Sequence, residues 1–169
     1  TRFLFSLRCG GEGVNVTYVS HMPWNDPYGA ATSLRRTVRH LLAGAPDISV
    51  SVLAPITGAA APNEFGDRLK LDHLKLPIHM NYLGGLRGGQ RLIWNSFNEI
   101  SLRRRTEKQL NGRVKEALRS ADVIHVNSLC LDWAVPLLRS AAGSQCIPIV
   151  AHVREFMRER QGKRSRQRL

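Results

Sequence analysis

Polar and titratable side chains follow three of the apolar segments of this 169-residue chain, where each segment gives way to a loop. Hydroxyl, amide, imidazole and guanidinium groups bind oxygen-rich ligands and transfer protons. If the apolar segments are parallel strands, their carboxyl ends meet at one edge of a sheet, and these side chains should line one crevice. The set comprises Ser20 and His21 after the first segment, Asn127 and Ser128 after a later one, and His152, Arg154 and Glu155 after the last.

Two histidines near these segments lead to different predictions. His125 lies inside the strongly apolar segment ADVIHVN, and there we favour a satisfied core histidine over a ligand. His152 lies near the end of the segment IPIVAHV, beside a charged pair. Titratable groups in such positions are often functional, so a structural and a functional role are equally open for His152.

Other kinds of active site are not indicated. The sequence has no Cys/His cluster with metal-ligand spacing, no Gly-x-Ser-x-Gly motif and no pair of carboxylates in apolar surroundings, so we expect neither a metal site nor hydrolase chemistry. The glycine cluster Gly84–Gly89 lacks the Lys-Ser or Lys-Thr pair of a Walker loop, which favours a linker. Cys9, Cys130 and Cys146 are widely spaced and odd in number, which predicts reduced cysteines in a cytoplasmic protein.

Val14–Ala43 predicts a strand, a loop and a helix in succession. Valines and a tyrosine favour the strand, and a loop rich in Pro, Asn and Gly precedes a helix that begins at Gly29 and ends at Gly44. Free N–H groups at the helix start would suit an anion, and a tight turn without a ligand is an equal alternative. The predicted apolar side of the helix is Leu34, Val38, Leu41 and Leu42, and the predicted solvent side is Arg35, Arg36, Arg39 and His40.

The remaining pattern alternates strands and helices. A strand at Asp47–Pro55 is followed by a short edge or bent strand within Leu71–Tyr82, which contains Pro77. Residues 90–120 are predicted to be helical, with an interruption near Gly112, and a strand follows at Ala121–Asn127. The next helix is predicted to be capped by Asp132, with Pro136 in its first turn and Gly143 at its end, and the last strand is Ile147–Val153. This order predicts an α/β fold, Rossmann-like and doubly wound, with a mainly parallel sheet and helices on both faces. We expect a single domain over residues 14–156, preceded by a flexible lead-in or edge strand at 1–13 and followed by a basic tail at 157–169.

The net charge of +12 predicts an anionic partner, which could be nucleic acid, an acidic membrane surface or a phosphorylated substrate. Nucleic acid is the least favoured of the three, because Trp24, Trp94 and Trp133 are scattered and no recognition helix or RNA-binding signature is present. No apolar run approaches the ~20 residues of a transmembrane helix, and the first one is too short for a signal peptide. A cytoplasmic protein is expected, with peripheral attachment to a membrane compatible with its charge.

Three blocks of the sequence resemble the N-terminal, acceptor-side half of family 4 glycosyltransferases, which have the GT-B architecture. The blocks are VTYVSHMPWNDPYGAATSLRRTVRHLLAGAPDISVSVLAP, SADVIHVNSLCLDWAVPLL and IPIVAHVREF, and together they span about Val14–Phe156. Each motif is loose, whereas their order and spacing are more specific. The resemblance implies an enzyme of the hexosyltransferase type, whose donor substrate is a nucleotide sugar.

The resemblance also implies roles for residues by position. Gly29 and Ala30 match the end of the glycine loop that approaches the donor's diphosphate, and His152 matches the catalytic histidine near the transferred sugar. The chain departs from the family at Tyr28, which stands in place of the first glycine, and at Asn127, which replaces a histidine. The implied acceptor-binding positions are His21, Asn127, Ser128, Arg154 and Glu155.

Members of this family bind the nucleotide through a second Rossmann-like domain with a Glu-x7-Glu type motif. We therefore expect the chain alone to bind no cofactor and to be inactive without a C-terminal nucleotide-binding domain as partner, its acceptor being a sugar or a lipid-linked or phosphorylated molecule. The alternative is a stand-alone basic module that binds nucleic acid or an anionic membrane surface. A Rossmann-like domain without activity is the third possibility.

Overall fold

The computed structural model describes residues 13–27, 29–57, 65–76, 100–101, 103–143 and 146–152. Its strands are β1 (Val14–Val19), β2 (Ile48–Ala54), β3 (Leu69–His73), β4 (Val123–Val126) and β5 (Ile149–Ala151). Its α-helices are α1 (Gly29–Gly44), α2 (helical at residues 100–101 and 103–109), α3 (Gly112–Arg119) and α4 (Val135–Ala142), and short 3-10 helices occur at Gly66–Arg68 and Leu129–Ala134. The predicted lead-in (apart from residue 13), the glycine cluster Gly84–Gly89 and the basic tail lie outside the described residues.

The five strands form one sheet in the order β3-β2-β1-β4-β5, and every neighbouring pair is parallel. The chain passes from β1 outward to β2 and β3, then returns to place β4 on the other side of β1. The point between β1 and β4 is therefore the topological switch point, where open α/β sheets bind their ligands beyond the carboxyl ends of the strands. This arrangement confirms the predicted α/β, Rossmann-like fold, with a sheet that is parallel throughout its described strands.

Helices cover both faces of the sheet because successive side chains of a buried parallel strand point to opposite faces. On one face, α1 buries Leu34, Val38 and Leu42 against a cluster that includes Tyr18 and Val52. On the other face, α3 and α4 pack against alternate strand residues, in a cluster that includes Val19, Leu53, Leu118, Ile124, Val126 and Leu138. The doubly wound prediction is confirmed.

The predicted polarity of α1 is confirmed with one exception. Leu34, Val38 and Leu42 are buried, and Leu41 is half-buried. Arg36, Arg39 and His40 are exposed, as expected, whereas Arg35 is half-buried. A helical wheel gives the side of the helix on which a residue lies, but a long arginine side chain can turn back to carbonyl groups at the helix start, and Arg35 does so.

Two local predictions differ from the structure. The third strand begins at Leu69 and ends at His73, because Leu69 and Leu71 are the residues in register with Val50 and Val52 of β2. Residues 74–76 are not part of a strand, and the rest of the predicted segment, with Pro77, lies outside the described residues. Among the described strands, β3 lies at an edge of the sheet, as predicted for the third strand.

Asp132 does not cap α4. It lies inside the preceding 3-10 helix, where its Oδ1 accepts a hydrogen bond of 2.7 Å from the N–H of Trp133, and Ala134 occupies the N-cap position. The other predicted features of this helix are confirmed: Pro136 lies in its first turn, and Gly143 follows its last residue with a positive φ of 93°.

The predicted interruption between α2 and α3 is also confirmed. Residues 110 and 111 are not helical, and α3 begins at Gly112, whose φ of 48° lies in the left-handed region that favours glycine. None of the described helices combines the length and the apolar character that crossing a bilayer requires.

Candidate functional site

Backbone hydrogen bonds extend the sheet beyond the carboxyl ends of its strands. The N–H of Ser20 donates to Leu53 O at 2.9 Å, and the N–H of Asn127 donates to Val19 O at 2.9 Å. On the next strand, the N–H of His152 donates to a carbonyl of β4 at 2.8 Å. Residues 20, 127 and 152 therefore lie on one edge of the sheet, in register with the strands beside them.

The centre of this edge is the switch point between β1 and β4, with Ser20 and His21 on one side and Asn127 and Ser128 on the other. Ser20, Asn127 and Ser128 are buried, and His21 is half-buried. The Ser20 hydroxyl accepts a 3.1 Å hydrogen bond from the N–H of Met22 and lies 3.3 Å from its carbonyl oxygen. Ser20 therefore stabilises the turn after β1, a role that the sequence did not indicate.

The Asn127 amide is the unusual group at this edge. The residue is 1% exposed, and among the described residues neither its Oδ1 nor its Nδ2 has a hydrogen-bond partner. An unsatisfied buried polar group costs about 1–3 kcal/mol, and in native proteins such a group calls for an explanation such as a function or a bound water. An amide offers both donors and an acceptor, which is what a hydroxyl-bearing ligand requires.

Three aromatic rings form a row across β1, β4 and β5. Tyr18 and His125 are opposite each other in the β1–β4 register, with ring centroids 4.8 Å apart. The rings of His125 and His152 meet edge to face at 5.6 Å. His125 is half-buried between the rings of Tyr18 and His152, so the core position that we favoured for it is confirmed only in part. His152 is exposed at the outer end of the row, where an imidazole can reach a ligand.

Gly29 starts α1 with a positive φ of 41°, a conformation that suits glycine. The loop before it folds against the segment after β2, since the N–H of Trp24 donates to Pro55 O at 3.1 Å and Nδ2 of Asn25 donates to Thr57 O at 3.1 Å. Gly29 and Ala30 therefore belong to the β1–β2 side of the edge. Asn127 and His152 lie on its β4–β5 side.

Arg35 holds this loop in place, although its spacing in the sequence predicted a solvated side chain. Its guanidinium donates hydrogen bonds to the carbonyl oxygens of Trp24 and Asp26, the latter at 2.8 Å, and to the hydroxyl of Thr32 at 3.0 Å. Charge-assisted hydrogen bonds of this kind are stronger than neutral ones. The only sequence signal for this role is the placement of an arginine one and a half turns after a Pro- and Asp-containing loop.

A separate polar cavity of about 550 Å³ lies on the α3 side of the sheet. Its walls include Asn15, Ser51 and Ser120, together with charged side chains of both signs from β3 and α3. None of the residues at the carboxyl edge lines it. Within the described ranges, no group of three or more His, Cys, Asp or Glu side chains could hold a metal ion.

The candidate site is therefore the carboxyl edge of the sheet around the β1–β4 switch point. Of the residues predicted for it, Arg154 and Glu155 lie outside the described part of the chain, as does Tyr28. Comparisons of the chain with models of known protein families, with curated proteins and with solved structures gave no match.

Proposed function

We propose that this chain is the acceptor-side domain of a nucleotide-sugar-dependent glycosyltransferase and that the carboxyl edge of its sheet binds the acceptor. The observation that carries the proposal is the buried amide of Asn127, which has no hydrogen-bond partner among the described residues, at the switch point of a parallel sheet. A hydroxyl of the acceptor would satisfy this amide and recover the free energy that its burial costs. The three sequence blocks that resemble family 4 glycosyltransferases point to a sugar as the ligand.

In this proposal, the residues at the edge take different roles. Asn127 and Ser128 contact the acceptor, with His21 beside them on the turn after β1. The exposed imidazole of His152 faces the transferred sugar, and it positions that sugar or stabilises it during transfer. The N–H groups at the start of α1, around Gly29 and Ala30, approach the donor's diphosphate, since a helix N-terminus attracts anions.

The nucleotide would be held mainly by a second, nucleotide-binding domain that faces the same edge, so the 169-residue chain alone should show no turnover with nucleotide sugars. The acceptor would be a sugar, or a lipid-linked or phosphorylated molecule, and the net charge of +12 favours one that carries phosphate. A cytoplasmic protein that works at a membrane surface would meet such acceptors. Turnover by the isolated chain would contradict this division of roles between two domains.

The binding proposal can be tested by NMR titration of the isotope-labelled chain with glucose 6-phosphate. We expect shifts at residues 20–21, 127–128 and 152, smaller shifts with glucose, and none at these positions with inorganic phosphate. Asn127→Leu should abolish the shifts at the edge. The matched control is Asn15→Leu at the opposite end of β1, which should leave them unchanged.

Two results would contradict acceptor binding at this edge. One is that glucose 6-phosphate and inorganic phosphate perturb the same residues, which would mean that charge alone accounts for binding. The other is that Asn15→Leu and Asn127→Leu weaken the edge shifts equally, which would mean that the amide of Asn127 has no specific part in recognition.

A further inference from the structure

Helices α2 and α3 carry a dense positive charge. Residues 103–119 include seven cations and two carboxylates, a net charge of +5. The cations are Arg103, Arg104, Arg105, Lys108, Arg113, Lys115 and Arg119, all exposed apart from the half-buried Lys115. None of these seven side chains makes a hydrogen bond or ion pair with another described residue, so their charge is available to a partner.

Part of this charge stands close in the sequence to an exposed apolar residue. Thr106 and Leu110 are buried and mark the inner side of the helix. Arg104 and Lys108 lie two positions before and after Thr106, which places them about 160° around the helix from it. Ile100 belongs to the helical residues 100–101 and stands four positions before Arg104 in the sequence. It is 55% exposed and is one of only two large hydrophobic side chains exposed in the described part of the chain. We call Ile100, Arg104 and Lys108 the α2 row.

An apolar side chain in a row with cations fits the interface of an anionic bilayer. Cations attract the phosphates of the lipid headgroups, and an apolar side chain enters the boundary between headgroups and acyl chains. A nucleic acid offers no apolar layer of this kind, and proteins that bind single strands commonly stack the bases on aromatic side chains. Residues 100–119 contain no aromatic residue. The lipid surface is therefore the better match.

We propose that the α2 row docks this protein onto an anionic lipid bilayer, with Ile100 at the headgroup boundary and Arg104 and Lys108 on the phosphates. The remaining cations of α2 and α3 strengthen the attraction. This inference goes beyond sugar transfer, because it concerns a helix face rather than the carboxyl edge of the sheet. Each cation near an anionic membrane surface strengthens binding by about fivefold.

The test is co-sedimentation of the full chain with phosphatidylcholine vesicles that either contain or lack phosphatidylglycerol. We expect binding only to the anionic vesicles, and we expect salt to weaken it. Arg104→Glu with Lys108→Glu should reduce binding by at least about twentyfold, because two attractions are lost and two repulsions are introduced. The matched control is Arg36→Glu with Arg39→Glu, the same change of charge on the exposed side of α1, which packs on the opposite face of the sheet. The loss of binding in this α1 control should be several-fold smaller than the loss in the α2 double variant.

Two substitutions of Ile100 test its contact with the bilayer separately from the charge. Ile100→Ser should weaken binding to anionic vesicles, and Ile100→Trp should strengthen it, since tryptophan favours the membrane interface. Circular dichroism should show that all variants are folded, because every changed residue is exposed.

Three results would overturn the proposal. Equal losses in the α2 and α1 double variants would mean that net charge alone drives binding. Vesicle binding that is unchanged in both Ile100 variants would mean that Ile100 makes no contact with the bilayer. Binding to a DNA or RNA oligonucleotide that is tighter than binding to vesicles, and unchanged by Ile100→Ser, would assign the surface to nucleic acid. The titration with a soluble sugar phosphate is independent of all three, so failure of one proposal is distinguishable from failure of the other.

Discussion

At the scale of single residues, Asn127 and Thr17 are two buried polar side chains in contrasting situations. The hydroxyl of Thr17 donates a 3.0 Å hydrogen bond to Ala117 O, which joins β1 to α3. The amide of Asn127 is equally buried and has no partner in the part of the chain that the structure describes. The first group stabilises the fold, whereas the second costs free energy that no other described residue recovers and that a ligand could recover.

This contrast predicts opposite effects of two substitutions on the free energy of unfolding. Asn127→Leu should raise it by about 1–2 kcal/mol, because an unsatisfied amide is replaced by an apolar group of similar volume. Thr17→Val should lower it by about 1 kcal/mol, because the hydrogen bond to Ala117 is lost and its carbonyl oxygen loses a donor. Urea denaturation of the two variants and the unsubstituted chain measures both changes.

A loss of stability in Asn127→Leu as large as that in Thr17→Val would contradict the argument. It would mean that the amide is already satisfied in the free protein, for example by a bound water. The observation that carries the acceptor-binding proposal would then be lost. A more stable Asn127→Leu variant that no longer responds to glucose 6-phosphate would instead show that the residue is retained for binding at the expense of stability.

Residue positions at the edge could be predicted from the sequence, but the partners of those residues could not. The rule that parallel strands end together was enough to expect Ser20, Asn127 and His152 on one edge. It could not show that the Ser20 hydroxyl is used by its own turn or that Arg35 reaches back to the loop. Such contacts depend on the path of the loop and on which carbonyl groups it leaves without donors, and neither is a periodic property of the sequence.

At the scale of elements, the junction between the first loop and α1 is the part of the candidate site that depends most on backbone conformation. Gly29 has a φ of 41°, and apart from its chain neighbours and the backbone of its own helix, no described atom lies within 4 Å of a Cβ built there. Space is therefore open at Gly29, and only the left-handed backbone disfavours a larger residue. Gly44, at the other end of the same helix, has equally open space without a positive φ.

These two glycines predict a matched pair of outcomes. Gly29→Ala should lower the free energy of unfolding by about 1–2 kcal/mol, because an L-residue is strained in the left-handed region. Gly44→Ala should be neutral or stabilising by up to about 1 kcal/mol, because alanine restricts the unfolded chain and fits the helix end. Thermal unfolding followed by circular dichroism compares the two. Equal effects at both positions would show that the backbone at Gly29 relaxes and does not hold the helix start as described.

Local sequence patterns predicted whether a segment is a strand or a helix more reliably than they predicted its first and last residues. Valine-rich segments predicted β1, β2 and β4, and the apolar spacing of α1 predicted three side chains that are fully buried. The limits of β3 were misplaced because they depend on its register with β2, which places Leu69 opposite Val50. The start of α4 was misplaced because an intervening 3-10 helix places Asp132 before the cap. Both errors arise from tertiary contacts that local sequence does not encode.

At the scale of the whole molecule, β1 connects two hydrophobic cores that lie on opposite faces of the sheet. Tyr18 belongs to the core under α1, and its neighbour Val19 belongs to the core under α3 and α4. The order of strands and helices along the chain predicted that both faces would be covered. The return of the chain to place β4 beside β1 was not a local feature of the sequence, and it followed only from the general topology of doubly wound sheets.

Because the cores share this central strand, damage to either should destabilise the molecule as one unit. Leu34→Ala in the α1 core and Leu118→Ala in the α3–α4 core each remove a side chain that is at most 1% exposed. Each should lower the free energy of unfolding by about 2–5 kcal/mol through lost burial and a residual cavity. A single cooperative transition is expected for a domain of this size, so each substitution should shift the unfolding of both cores equally.

The chain contains a fluorescent reporter for each core, which makes the expectation measurable. Trp24 is buried in the α1 core, and Trp133 is partly buried against the other. With Trp94 and one of these two replaced by phenylalanine, fluorescence during urea denaturation reports on one side of the sheet alone. Leu34→Ala should lower the urea midpoint reported by Trp133 as much as the midpoint reported by Trp24. Leu118→Ala should likewise lower the midpoint reported by Trp24 as much as the midpoint reported by Trp133. Midpoints that separate, each following only the substitution on its own face, would mean that the sheet does not couple its two faces, and the single-domain description would then be wrong.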